Sequence, residues 1–90
     1  MYIMSTITNT ALYTGVTNDL QRRVLEHRAD KGSKFVKKYK LYKLVYFESG
    51  DSMLSAITRE KQIKGGSRQD KINMIDKMNP RWSDLYEQLQ

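Results

Sequence analysis

The chain has no cysteine, one proline, one tryptophan and one histidine, and its ten acidic residues are outnumbered by sixteen basic ones. Without thiols there is no disulfide framework, no thiolate zinc site and no cysteine nucleophile. The single histidine, His27, excludes a histidine-rich metal cage and stands in no Ser-His-Asp pattern. No apolar run approaches the roughly 18 residues of a spanning helix. Met1 leads into a strand-like segment without a charged leader or hydrophobic signal region. These absences predict a soluble cytoplasmic protein with no membrane partner. Pro80 is the only proline and Gly65-Gly66 the only glycine pair, so neither linker, repeat, low-complexity tract nor phosphate-binding glycine loop is present. Ninety residues make one small domain, expected over residues 1–90.

What is present begins with charge. The formal net charge of +6 favours an anionic partner, nucleic acid first among them. Tyr2-Ile3-Met4 and the alternating segment ending at Gly15 read as a β-hairpin turning near Thr8-Asn9. Gly15 allows positive φ or the close approach of another group. Thr17 or Asn18 can cap the helix that follows, aiming its amides back toward Tyr13, where a phosphate can sit. On that helix Arg23 and His27 share a face at the margin of an apolar stripe containing Leu20 and Val24. The same pattern also suits an ordinary structural role, with Arg23 snorkelling and His27 satisfied in the core.

After a Gly32-Ser33 break, Lys34, Lys37, Lys38 and Lys40 interleave with Phe35 and Tyr39, a composition suited to phosphate contacts and stacking or simply to a solvated loop. Leu41–Glu48 is the strongest strand signal, and its near-continuous apolar character predicts a central position covered on both sides. Asp51 or Ser52 caps a second helix ending at Gly65-Gly66, with Met53, Ala56, Ile57 and Ile63 facing inward. Glu60 projects into that stripe, about 20° from Met53 and about 40° from Ala56. A carboxylate there is costly unless its charge is offset, either by Lys64 one turn on or by a metal ion. Ser67-Arg-Gln-Asp70 signals a third helix carrying Ile72, Ile75 and Met78 inward, and Asn79-Pro80 reads as the start of a final short helix. Capping is a sufficient structural reason for Asn79, which any catalytic role has to compete with.

Tyr2, Tyr13, Arg23, His27 and Glu60 are the unusual polar positions, and together they suit phosphodiester hydrolysis: a carboxylate for a hard cation, an arginine for phosphate and phenols for protons. In order and spacing they resemble the GIY-YIG nuclease superfamily, or URI domain, in its small stand-alone bacterial branch. Tyr2 corresponds to the first motif and Tyr13-Thr14-Gly15 to the second, while Arg23 falls eight residues after Gly15. His27 matches a histidine often found one turn later, and Glu60 matches the metal-binding glutamate. Residues 32–39 and Asn79–Leu85 also resemble that branch.

The resemblance implies an α/β (α+β) fold with a small central three-stranded sheet flanked by helices. It further implies a metal-dependent DNA endonuclease of repair or recombination, with Tyr2, Tyr13, Arg23, His27, Glu60 and Asn79 as the catalytic set. Glu60 would hold one Mg²⁺ or Mn²⁺, Arg23 would stabilise the phosphate, and Tyr13 or Tyr2, assisted by His27, would deprotonate water, given surroundings that lower the tyrosine's pKa. Gly15, Lys34, Lys37, Lys38, Tyr39 and Lys64 would contact the nucleic acid. Relatives with defined targets carry further recognition domains, so a protein partner is expected to supply recognition here. The alternative is a catalytically silent nucleic-acid-binding or partner-dependent module of the same fold.

Overall fold

The computed structural model describes residues 1–29 and 38–89. The N-terminal hairpin forms as its alternation predicts: β1 (Tyr2–Ser5) and β2 (Leu12–Gly15) pair antiparallel, Tyr2 opposite Gly15 and Met4 opposite Tyr13. Asn9 supplies the turn's positive φ of 61°, a conformation asparagine tolerates. Antiparallel partners share a face, so Tyr2, Met4, Tyr13 and Gly15 lie on one side of the sheet and Ile3, Thr14 and Leu12 on the other.

β3 (Lys43–Phe47) adds antiparallel to the far side of β1, giving the order β2-β1-β3. The short β1, not the Leu41–Glu48 segment, is therefore the central strand, and all four of its residues are buried. β3 reads as a central strand because the C-terminal segment covers its outer edge. Leu85 N–H donates to the Leu44 carbonyl at 2.8 Å, Leu44 N–H to Asp84 Oδ1 at 3.3 Å, and Asn79 Nδ2 to the Val45 carbonyl at 3.1 Å. A register shift between Ile3 and Met4 pairs them with Tyr46 and Leu44, leaving Val45 between. This bulge lets Val45 and Tyr46 pack on the same side as Ile3.

Each face of the sheet is covered. α1 (Leu20–Arg28) brings Val24 onto Tyr2, Met4 and Leu44, and Leu41 and Leu85 complete that cluster. α2 (Met53–Gly65) and α3 (Arg68–Met78) bring Ile63 and Ile75 onto Met1, Ile3 and Val45. The α1 cap is Asp19, one or two residues beyond the expected positions: its Oδ1 accepts from Arg22 N–H, while Thr17 Oγ1 accepts from Asp19 N–H. Ser52 caps α2, and Ser67 with Asp70 forms the expected capping box of α3. Met53 and Met78, expected inside, are 42% and 43% exposed. α2 packs through its C-terminal half at Ile63, and Met74 occupies the place given to Met78.

The Asn79-capped final helix is absent. Asn79 instead closes α3, its N–H bonded to the Ile75 carbonyl and its side chain to Val45, to the Ser83 carbonyl at 2.8 Å and to Ser83 N–H at 3.1 Å. It is buried, and none of these partners belongs to the proposed catalytic set. Only a 3₁₀ turn follows, at Tyr86–Leu89. Asn79→Ala is expected to lower stability by about 1–3 kcal/mol by orphaning backbone groups. Thermal melting measures that loss, and unchanged cleavage per folded molecule would separate this role from a catalytic one. Among the described residues no helix is long and apolar enough to cross a membrane.

Candidate active site

The hairpin register and α1 together assemble the first half of the site. Tyr2 comes from β1, Tyr13 from β2, and Arg23 and His27 from successive turns of the helix lying over them. The Tyr2 hydroxyl is 3.0 Å from His27 Nε2 and accepts from Arg23 Nε at 3.4 Å. The three rings form a closed group: His27 stands edge-on to Tyr2 at 5.6 Å and to Tyr13 at 5.4 Å, and the tyrosines are 6.3 Å apart. Four of the sequence-predicted residues thus meet at one place. Arg23 Nη1 is also 3.8 Å from Glu26, holding the guanidinium at the group's open side.

Gly15 has a packing reason as well as its expected contact with nucleic acid. It is buried without positive φ, and a Cβ on it would lie 2.6 Å from the Tyr2 hydroxyl oxygen and 2.9 Å from the Tyr13 ring. The group that approaches it is therefore the Tyr2 phenol. Gly15→Ala is expected to displace that phenol and cost about 1–3 kcal/mol through overpacking. Chemical denaturation measures the loss, and the Tyr2 absorbance should change with it.

Electrostatics correct the expected tyrosine chemistry. Burial raises the Tyr2 pKa, outweighing the Arg23 hydrogen bond that lowers it. Arg23 is held more firmly charged by its bond to Tyr2, against burial, with Tyr13 and Glu26 adding to the effect. Burial, then the Arg23 charge, pushes His27 down to about 4, with the Leu41 backbone and Glu26 offsetting part of the shift. His27 is therefore neutral at pH 7. Its Nδ1 makes no close hydrogen bond among the described residues, and the Leu41 backbone acts on the ring only as a weak, poorly aligned partner.

A histidine that titrates near 6.5 when unfolded and about 4 when folded binds its proton more readily in the unfolded chain. Its stabilising contribution is full above pH 6.5 and is lost as pH falls through 4, a change of about 3 kcal/mol. Urea unfolding at pH 7, 5.5 and 4.5 should show this decline, and His27→Gln should flatten it. Glu48 carries the same sign at lower pH: burial raises its pKa, but Tyr46 and Arg59 hold it below the usual carboxylate range on balance.

Glu60 sits on α2, which covers the opposite face of the sheet. Its side chain is only 16% exposed, and Lys64 Nζ lies 3.4 Å from Oε1, the i,i+4 pair the sequence allows. Its charge also reaches the Met1 amine, raising a pKa that burial lowers on balance. β2 is an edge strand, so the last turns of α2 reach round it: the Lys64 ammonium lies 5.9 Å from the Tyr13 ring centroid. Lys64 thus links Glu60 to the tyrosine group, and no direct bond joins Glu60 to Tyr2 or Arg23 among the described residues. Those residues hold no cluster of three or more His, Cys, Asp or Glu.

Of the helix amides expected to face a phosphate near Tyr13, that of Arg22 is met by the Asp19 carboxylate. Lys38 and Tyr39 are exposed, with the ammonium 5.3 Å from the ring centroid, and Lys34 and Lys37 lie outside the described residues. A cleft of about 360 Å³ opens beside Tyr2 between the starts of α1 and α2, with Thr17, Phe47, Glu48, Met53 and Ala56 in its lining. Glu48 was not singled out from the sequence. It accepts from the Tyr46 hydroxyl at 2.6 Å and from Arg59 Nε at 2.8 Å. Burial, then Glu48, pushes Tyr46 up to about 12. The available signal was the Tyr46-x-Glu48 spacing, which puts both side chains on one face of a strand.

The sequence model of the GIY-YIG catalytic domain matches residues 1–73, a span containing all five of Tyr2, Tyr13, Arg23, His27 and Glu60. The chain belongs to the GIY-YIG family. Its sheet and flanking helices agree with that assignment, which places it in a nuclease superfamily. It is 43% identical over 70 residues to a UPF0213 protein of Syntrophus aciditrophicus, covering 77% of this chain and 79% of the relative. A UPF0213 protein of Staphylococcus haemolyticus is 42% identical over 66 residues, covering 73% and 80%. One from Haloquadratum walsbyi is 39% identical over 66 residues, covering 73% and 74%. No solved structure matches the chain. For this GIY-YIG member, the four-residue group around the Tyr2 hydroxyl is the candidate catalytic centre.

Proposed function

We propose that the protein is a divalent-metal-dependent endonuclease hydrolysing phosphodiester bonds in DNA. The observation carrying this reading is the Tyr2 hydroxyl held between the Arg23 guanidinium and neutral His27 Nε2 in a buried group with an open arginine edge. Arg23 binds a non-bridging phosphate oxygen and stabilises the charge that develops there. Tyr2 takes a proton from the attacking water while its own passes to His27 Nε2, so the phenol ends neutral and the histidine carries the proton. An anionic phosphate at Arg23 cancels part of the positive charge that depresses His27 and so raises its basicity.

Glu60 fits a hard cation: its one largely buried carboxylate would hold Mg²⁺ or Mn²⁺. A cation held by Glu60 would supply Lewis-acid polarisation of the scissile phosphate. Lys64, now paired with Glu60, would have to give up that pair for the carboxylate to hold a cation.

Nicking of supercoiled DNA should appear with Mg²⁺ or Mn²⁺ and disappear with EDTA or in Glu60→Ala. Absence of cleavage by the wild-type protein, or cleavage unchanged by Glu60→Ala, overturns the reading. A silent nucleic-acid-binding module is the second reading, favoured by one observation: burial holds Tyr2 above its ordinary pKa, a poor state for a base. Binding without cleavage in the same assay would select it.

A further inference from the structure

We infer that the DNA backbone leaves the catalytic group over the β2 edge, onto a basic saddle formed by Lys64, Lys71 and Arg68 at the junction of α2 and α3. This rests on the nuclease reading and adds a strand path to it. Two depressions adjoin the tyrosine group, and their charges differ. Among the described residues, the 360 Å³ cleft beside Tyr2 is lined by Glu48 and the Met1 amine and by no lysine or arginine side chain. A polyanion laid along it would meet a carboxylate held ionised by Tyr46 and Arg59. The second, of about 290 Å³, is lined by Leu12, Tyr13, Thr14, Lys64 and Lys71, with two cations and no carboxylate.

The second depression is also shaped for the part. It lies on the edge strand, directly beside Tyr13, so a strand whose phosphate sits at Arg23 reaches it without crossing the sheet. Thr14 is 4% exposed, and its hydroxyl makes no hydrogen bond among the described residues, leaving an unused donor in the lining. Lys71 has no ion-pair partner among those residues, unlike Lys64. Arg68, three residues earlier on the same helix, extends the positive surface to the hairpin turn, where it donates to the Asn9 and Thr10 carbonyls at 3.3 and 3.1 Å. The cations therefore border β2 from Tyr13 to the hairpin turn, on the edge a strand leaving the tyrosine group would pass.

The saddle is separate in sequence from the basic Lys34–Tyr39 segment. It is tested by binding to a DNA oligonucleotide in EDTA, where no cleavage occurs. Lys71→Glu should weaken binding on the order of tenfold at low salt, and Lys71→Ala should reduce the salt slope by about 0.7–0.9 for the lost contact. Lys77→Glu, on the far end of α3 beside Tyr46, should have little effect. Because the chain has no cysteine, Lys71→Cys and Lys77→Cys each create a unique thiol for a photo-crosslinker, and only the former should capture DNA. Unchanged affinity in Lys71→Glu, or equal crosslinking from both positions, overturns the inference while leaving the nuclease reading intact. Lys71-dependent binding by a protein that never cuts supports the saddle and overturns the nuclease reading alone.

Discussion

Arg23→Ala is expected to lower the cleavage rate by about 10³-fold while leaving the protein folded. The direction follows from what the guanidinium touches. Arg23 donates a hydrogen bond to the Tyr2 hydroxyl, and it stands at the boundary of the tyrosine group, with 29% of its side chain exposed. A phosphate oxygen approaching the exposed side meets a donor already oriented by Tyr2 and Glu26, so little reorganisation accompanies the developing charge. Little stability is at stake, because the Glu26 pair is long and partly exposed. Single-turnover cleavage at saturating protein isolates the chemical step from binding. Arg23→Lys should recover only part of the rate, since an ammonium keeps the charge but loses the planar fork that fixes both phenol and phosphate. Loss of DNA affinity equal to the loss of rate would instead mark Arg23 as a uniform binding residue.

The stretch that supplies Arg23 is also the part of the fold most legible from sequence. Tyr13 to His27 reads correctly as strand, turn and helix because its signals are local: alternation, a glycine and a 3.6-residue period. Even there the cap position is not fixed by pattern, because Thr17, Asn18 and Asp19 are all capable caps and the Asp19 carboxylate is the one that reaches Arg22 N–H. Errors grow where distant segments decide the outcome. The apolar Leu41–Glu48 segment resembles a central strand because residues 79–85, nearly forty positions away, cover its edge. Asn79 resembles a helix start because the backbone groups it satisfies, at Val45 and Ser83, are assigned only by the tertiary fold.

Glu60 shows the same division within the site. Its odd position in an apolar stripe is visible from spacing, as is its pair with Lys64. Its relation to Tyr13 is not, because that depends on β2 being an edge strand around which the end of α2 can reach. The sign of the Tyr2 shift was equally out of reach. Arg23 supplies the lowering interaction that a tyrosine base needs, yet the phenol is so completely covered that burial wins.

That balance leads to the second large effect. Tyr2→Phe is expected to reduce cleavage by about 10²–10⁴-fold, the range for loss of a positioned proton-transfer group. The ring and its packing against Met4, Val24 and Leu44 survive, so the core is retained. What disappears is the oxygen that joins Arg23 Nε to His27 Nε2, leaving the buried imidazole without its Nε2 hydrogen bond. Stability should fall by about 1–3 kcal/mol for that reason, which denaturant melts separate from the kinetic loss. The sharper measurement is coupling. If Tyr2 passes its proton to His27, the two side chains act as a unit, and Tyr2→Phe with His27→Gln together should be scarcely slower than Tyr2→Phe alone. Independent roles would instead multiply the two losses. The relay further requires neutral His27, so activity should decline in acid as that histidine is protonated, at a pH above its apo value of about 4 once phosphate neutralises Arg23. The acid limb should persist in Lys64→Met and vanish from the residual rate of His27→Gln, which ties it to the imidazole and not to the carboxylate of Glu60.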